Sequence, residues 1–146
     1  MSSTGKPLNT GSTIIPCLRY RDAKAAIEWL CKAFGLDRNA VYEDDEGKVM
    51  HAQLTFGNGM IMLGTVSDNE FGRHMAQPDE TGGRETQCPC VIVADCDGHY
   101  ARAKAAGAEI VDELETKEYG GNGYSCRDLE GHLWYFGSYD PWVGEH

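Results

Sequence analysis

The residues of this chain with chemistry to offer are few: His51 and Gln53 two apart, Met60 and Met62 two apart, Cys88-Pro89-Cys90, and phenols at Tyr119, Tyr124 and Tyr135. A spacing of two is the repeat of a strand, which sends i and i+2 to one face, so each close pair addresses a common surface. His51 could bind a ligand, act as a base or join a metal site, or could simply hydrogen-bond to a neighbour or to water. The tyrosines, with Trp142 near the end, could stack on a planar or cationic ligand or pack among themselves. Cys88 is the sharpest nucleophile, yet no basic residue adjoins it in sequence to lower its pKa, and Cys88 with Cys90 lacks the spacing of a zinc knuckle. Of the other histidines, His74 falls in a connecting stretch, His99 in a helical pattern and His132 in a turn, and all three are expected to be solvated.

The elements that must position these residues come twice. Asp22 opens a helical pattern that stops at Gly35, and Asp95 opens one that stops at Gly107; Gly59 precedes one apolar run and Gly131 another, all at offsets of 72 or 73 residues. This predicts two tandem modules, 12–64 and 86–138, joined by a linker, 65–85, whose Gly, Pro and acidic residues have no period and suit a connection or a lid. Within the first, a strand at 12–19 leads to a helix with Ala26, Ile27, Leu30, Ala33 and Phe34 on one face, then strands at 38–43, 48–56 and 60–63. The second gives 86–94, a helix at 97–106, then 109–117, 123–127 and 133–136, so the class is α+β with a βαβββ plan used twice.

Alternation sorts the faces. Ile14, Leu18, Leu54, Phe56, Ile61 and Leu63 suit the helix side, leaving Ile15, Cys17, Arg19, His51, Gln53, Thr55, Met60 and Met62 on the other. Carried across the repeat at an offset of 73, Cys88, Cys90, Tyr124, Cys126, Leu133 and Tyr135 join that second face, while Val91, Val93, Trp134 and Phe136 become core. Sulfur, aromatic and polar groups mixed in this way suit the lining of a ligand cavity. The expected ligand-binding set is therefore His51, Gln53, Met60, Met62, Cys88, Tyr124 and Tyr135.

Composition bounds the partners. The 146 residues carry 23 acidic against 13 basic side chains, a formal charge of -10 that disfavours nucleic acid and would draw cations at long range, or would merely keep the chain soluble. No run of apolar residues approaches the roughly 20 that a membrane helix requires. Residues 1–9 lack the apolar core of a secretory signal, and six cysteines without a CxxC pair read as reduced thiols, so the expected location is cytoplasmic.

The duplicated plan, the opening Ile15-Pro16-Cys17-Leu18-Arg19-Tyr20-Arg21-Asp22-Ala23, the helix end Ala33-Phe34-Gly35, the segment Ala103-Lys104-Ala105-Ala106-Gly107-Ala108 and the closing Arg127-Asp128-Leu129-Glu130-Gly131-His132-Leu133-Trp134 resemble the vicinal oxygen chelate superfamily. That group contains glyoxalases, bleomycin-resistance proteins and extradiol dioxygenases. The resemblance covers about 13–142 and implies a single domain, 1–146, whose curved mixed sheets enclose a cavity, commonly in a homodimer. It also implies where metal-dependent members place His, Gln or Glu ligands, and those positions fall here on Ile15, Met62, Cys88 and Tyr135. Such side chains cannot supply the oxygen and imidazole donors that hard divalent ions require. The resemblance thus implies a metal-free binder of a small molecule, an antibiotic or a metabolite; the alternative is a metal-dependent lyase or dioxygenase with a shifted site that includes His51. A third possibility is an interaction module with a filled cavity.

Overall fold

The computed structural model describes residues 11–143; the stretch 1–9 discussed above for its lack of a signal lies outside them. The chain runs β1 (Cys17–Tyr20), α1 (Ala23–Phe34), β2 (Asp37–Glu43), β3 (Val49–Phe56), β4 (Gly59–Thr65), two short 3-10 turns (Gly72–His74 and Pro78–Glu80), β5 (Cys90–Ile92), α2 (Cys96–Ala105), β6 (Glu109–Thr116), β7 (Asn122–Arg127) and β8 (Leu133–Gly137). Two four-stranded sheets result, ordered β1-β4-β3-β2 and β5-β8-β7-β6. In each, the first strand lies parallel to the last and the others are antiparallel. Among the described residues no helix is long and apolar enough to cross a membrane.

Local sequence explains the elements. The Asp22 carboxylate accepts from the Ala25 N–H at 3.1 Å and opens α1, whose Ala26, Ile27, Leu30, Ala33 and Phe34 are buried. Gly35 closes it in the left-handed region, φ 78°, with its N–H donating to the Cys31 carbonyl. Asp95 caps α2 in the same way, accepting from Gly98 N–H at 3.0 Å. The first strand is shorter than its apolar run suggests: Ile14 is 84% exposed, ahead of the first paired residue, Cys17, instead of lying under α1.

Both units share one core. Phe34 at the end of α1 meets Trp134 and Phe136 of β8, ring centroids 5.1 and 4.6 Å away. His99 from α2 joins them: its Nε2 donates to the Phe34 carbonyl at 2.9 Å, and its Nδ1 accepts from the Tyr124 hydroxyl at 2.6 Å. The solvated His99 expected from the helical pattern is thus corrected, because this turn of α2 faces the aromatic cluster. Arg102 extends the contact by donating to the Lys32 and Cys31 carbonyls, at 2.7 and 3.1 Å, at the negative end of α1.

A buried carboxylate ties the units together at the other end. Asp128 accepts from Tyr20 Oη at 2.6 Å, from Trp134 Nε1 at 3.0 Å and from the backbone N–H groups of Glu130 and His132, both at 3.0 Å. Glu130 reaches back to the Arg21 and Asp22 N–H groups at 2.7 and 2.8 Å. His132, expected to be exposed, is 7% exposed instead. Its two ring nitrogens face the Glu85 carboxylate at 2.9 Å and the Arg19 carbonyl at 2.8 Å.

Two consequences can be measured. Tyr20→Phe removes a donor from a buried charge and should destabilise the chain by about 1–3 kcal/mol, and Asp128→Ala, which strands several donors, by about 3 kcal/mol or more in urea unfolding. Burial also holds the His99 pKa below its ordinary 6.5. The unfolded ring then takes up a proton that the folded ring refuses, so stability should fall as pH drops below about 6.5 toward the lower folded value. The same series on His99→Gln should show a shallower acid slope.

Candidate functional site

The helices cover one face of each sheet and leave the other open. On the first sheet, the open face carries Cys17 and Arg19 from β1, Met60, Met62 and Gly64 from β4, and His51, Gln53 and Thr55 from β3. Gln53 stands opposite Met62, and Thr55 opposite Met60. Asn39 Nδ2 donates to Gln53 Oε1 at 2.8 Å, and Gln53 Nε2 lies 3.1 Å from His51 Nε2. An amide nitrogen has only protons to give, so His51 Nε2 is the acceptor and the ring proton sits on Nδ1. The Tyr42 ring stacks on His51, centroids 6.0 Å apart. Four of the seven residues expected to bind a ligand, His51, Gln53, Met60 and Met62, thus share one surface.

Tyr135 belongs to the second sheet, and Cys88 lies two residues ahead of its first strand. Tyr135 sits opposite Cys90 and Ser125 on its open face. Its ring lies over Gly123, where an added Cβ would collide with the phenol oxygen, and its hydroxyl shares a hydrogen bond of 2.8 Å with Tyr119. Cys88 is exposed just ahead of β5. Although the residue is exposed, partial desolvation of its sulfur pushes the Cys88 thiol up, with the nearby Glu85 acting in the same direction; the same cause raises Cys90, and Tyr135 still further.

Tyr124 is corrected: it is fully buried on the helix side, as is Cys126. The reason is register. The pairs Cys17–Met62 and Cys90–Tyr135 keep the offset of 73, but Met62 pairs with Gln53 whereas Tyr135 pairs with Ser125, an offset of 72. Between paired positions the β7–β8 hairpin holds one residue more than the β3–β4 hairpin, nine between Ser125 and Tyr135 against eight between Gln53 and Met62, and a slip of one residue reverses every side chain on a strand. Ser125, not Cys126, is the counterpart of Gln53. It donates to Asp112.

Where the units meet, a groove of about 320 Å³ is lined by Ile14, Pro16, Met60, Cys90, Ile92 and Trp142 among others. A hollow of about 430 Å³ between α1 and β2 lies on the helix side, away from both open faces. Sequence reasoning placed Arg19 on the open face but passed over it as a ligand contact, and it passed over Asn39, Tyr42 and Phe71 altogether. The Phe71 ring, from the connecting stretch, has the Arg19 guanidinium 5.4 Å above its centroid. No periodicity marks that stretch, so only a tertiary contact could reveal it.

The residues at the four implied metal positions do not fit a hard divalent ion. Ile15 has no donor atom, Met62 offers a thioether, Cys88 a thiol whose proton is held more tightly than usual, and Tyr135 a phenol engaged with Tyr119. A reactivity measurement tests the thiols: although exposed, Cys88 and Cys90 should be alkylated by iodoacetamide at neutral pH more slowly than free cysteine, read by peptide mass spectrometry.

Comparison with known proteins agrees with this architecture. An uncharacterized protein of Mycobacterium tuberculosis is 29% identical over 130 residues, covering 89% of this chain and 76% of that protein. The crystal structure of TioX from Micromonospora sp. ML1 is 34% identical and covers 86% of this chain and 94% of its own, with a TM-score of 0.68. The fosfomycin resistance protein FosX of Listeria monocytogenes, in a complex with Mn(II) and sulfate, shares the fold at 13% identity, covering 91% and 94% with a TM-score of 0.65. The family model that matches residues 13–136 spans both βαβββ units, and with it the chain belongs to the Glyoxalase/Bleomycin resistance protein/Dioxygenase superfamily.

Proposed function

We propose that the chain is one domain that holds a small molecule without a metal, as bleomycin-resistance members of its superfamily do, and so sequesters an antibiotic or a metabolite. The observation that carries this reading is the donor chemistry at the four positions where metal-dependent relatives bind their ion: an isoleucine, a methionine, a tightly protonated cysteine and a tyrosine. The surface that remains has the make-up of a binding site, with the sulfurs of Met60 and Met62 beside the fixed polar groups of His51 and Gln53.

Cys88 and Tyr135 would complete that site from the second sheet. The two open faces belong to separate sheets, so a homodimer, with one copy's first sheet set against its partner's second, would bring the expected residues around one cavity. The six cysteines, all unpaired, suit a reducing compartment such as the cytoplasm. One observation favours the alternative of a metal-dependent lyase or dioxygenase: FosX of the same fold is a Mn(II) complex. In that case His51 would be the ligand to retain.

Thermal unfolding separates the two. Bleomycin and a panel of flat aromatic compounds should include a ligand that raises the melting temperature by several degrees at saturation, equally with and without EDTA. Stabilisation that vanishes in EDTA and returns with Mn(II) would move the assignment to the metal-dependent reading. No stabilisation by any compound would favour a vestigial cavity.

A further inference from the structure

The chain is strongly acidic, yet the first open face presents a cation. Arg19 follows Leu18 and precedes Tyr20, both buried on the helix side, so its side chain rises from the open face of β1. It is paired across the ladder with Gly64. A Cβ built on Gly64 would lie 2.8 Å from Arg19 Nη1 and 2.8 Å from the Met50 carbonyl oxygen, so the Arg19 guanidinium reaches over β4 at a position where no side chain stands. Continuing the β3–β4 register by one residue sets His51 opposite Gly64, and Tyr42 opposite His51 completes the row. The guanidinium is therefore aimed along Arg19, Gly64, His51 and Tyr42, toward the middle of the open face.

What Arg19 does not meet is as informative. Among the described residues its guanidinium makes no ion pair, and its one side-chain partner is the Phe71 ring. The neighbouring Arg21, by contrast, pairs with Asp79 and Glu80. Across β4 from Arg19, the Asn39–Gln53–His51 chain occupies His51 Nε2 as an acceptor and leaves its Nδ1 proton without a partner among the described residues. Both polar groups at the centre of the face are thus unspent hydrogen-bond donors. Flat and soft groups flank them: Phe71, Tyr42 and Met62.

We propose that the molecule held on this face is an anion, a carboxylate on a flat apolar body, with its carboxylate on Arg19 and the His51 Nδ1–H and its body among Phe71, Tyr42 and Met62. This rests on the reading of the face as a small-molecule site, and it reverses the attraction for cations that the net charge of -10 alone suggests. Long-range charge sets the encounter, whereas the directed donors at the contact set the choice. A planar guanidinium matches a carboxylate in two parallel hydrogen bonds, a geometry that a neutral amide satisfies only in part.

Three probes of one size and three charges decide it: benzoate, benzamide and benzylamine, titrated at fixed ionic strength into the full chain and followed by backbone amide shifts. Benzoate should perturb residues around Arg19, His51 and Gly64, bind at least about tenfold more tightly than benzamide, and outcompete benzylamine. Arg19→Gln should bring benzoate down to the level of benzamide, and Arg19→Lys should restore part of the difference. Equal binding of benzoate and benzamide, or a preference mapped to another surface, would overturn the anion assignment while leaving a small-molecule site in place. Binding of none of the three at this face would overturn both. The comparison of probes on the unaltered chain holds even if Arg19→Gln fails to fold.

Discussion

The arrangement of this molecule depends on one buried carboxylate. Among the described residues Asp128 has no cationic partner; four neutral donors hold it, two from its own turn and two from the indole of Trp134 and the phenol of Tyr20. A charge in such a setting tolerates little displacement, because each donor lost leaves part of its desolvation uncompensated. Tyr20 lies on the first strand and Asp128 in the last turn, so the carboxylate fixes the two βαβββ units against each other. Tyr20, itself pushed well up by burial and by Asp128, remains a proton donor under all ordinary conditions. Glu130 and His132 reinforce the joint from the same turn.

That joint determines what lies at the surface. With β1 fastened to the β7–β8 turn, and α1 fastened to α2 through His99 and Arg102, both helices turn one face to the shared core and both sheets keep an open face. The first face is the more polar in its reach. A guanidinium lies across a glycine, and an amide relay sets the tautomer of a histidine. The second is closed down by Tyr135, which folds over Gly123 toward Tyr119. A tandem repeat has thus produced two unlike surfaces from one plan, and the side chains at the repeated positions account for the difference.

The fold was legible because periodicity and punctuation agree. Asp22 and Gly35 bracket one helix, Asp95 and Gly107 the other, and alternation within the β3 and β4 strands put Leu54, Ile61 and Leu63 inside as observed. Of the candidate site, the common surface of one hairpin was legible. His51, Gln53, Met60 and Met62 fall on one surface because that hairpin has a short, regular turn; Tyr124 does not, because the β7–β8 hairpin holds a single additional residue between paired positions, which shifts its strand by one. His99 and His132 were misplaced for a related reason. Neighbours in sequence do not reveal that a polar ring in a helix or a turn has an acceptor waiting on another element.

By itself, then, the sequence determined the α+β class, the twofold βαβββ repeat, the superfamily resemblance and the side-chain types at the four positions where that resemblance implies a metal. Those follow from local quantities: residue spacing, caps, and the donor atoms a side chain has. Only the tertiary structure decided the register of β7, the burial of His99 and His132, and the setting of Arg19 over Gly64 beside Phe71. Each of these depends on contacts between elements far apart in the chain, whose free energy is set by packing and by hydrogen-bond partners that the local pattern does not record.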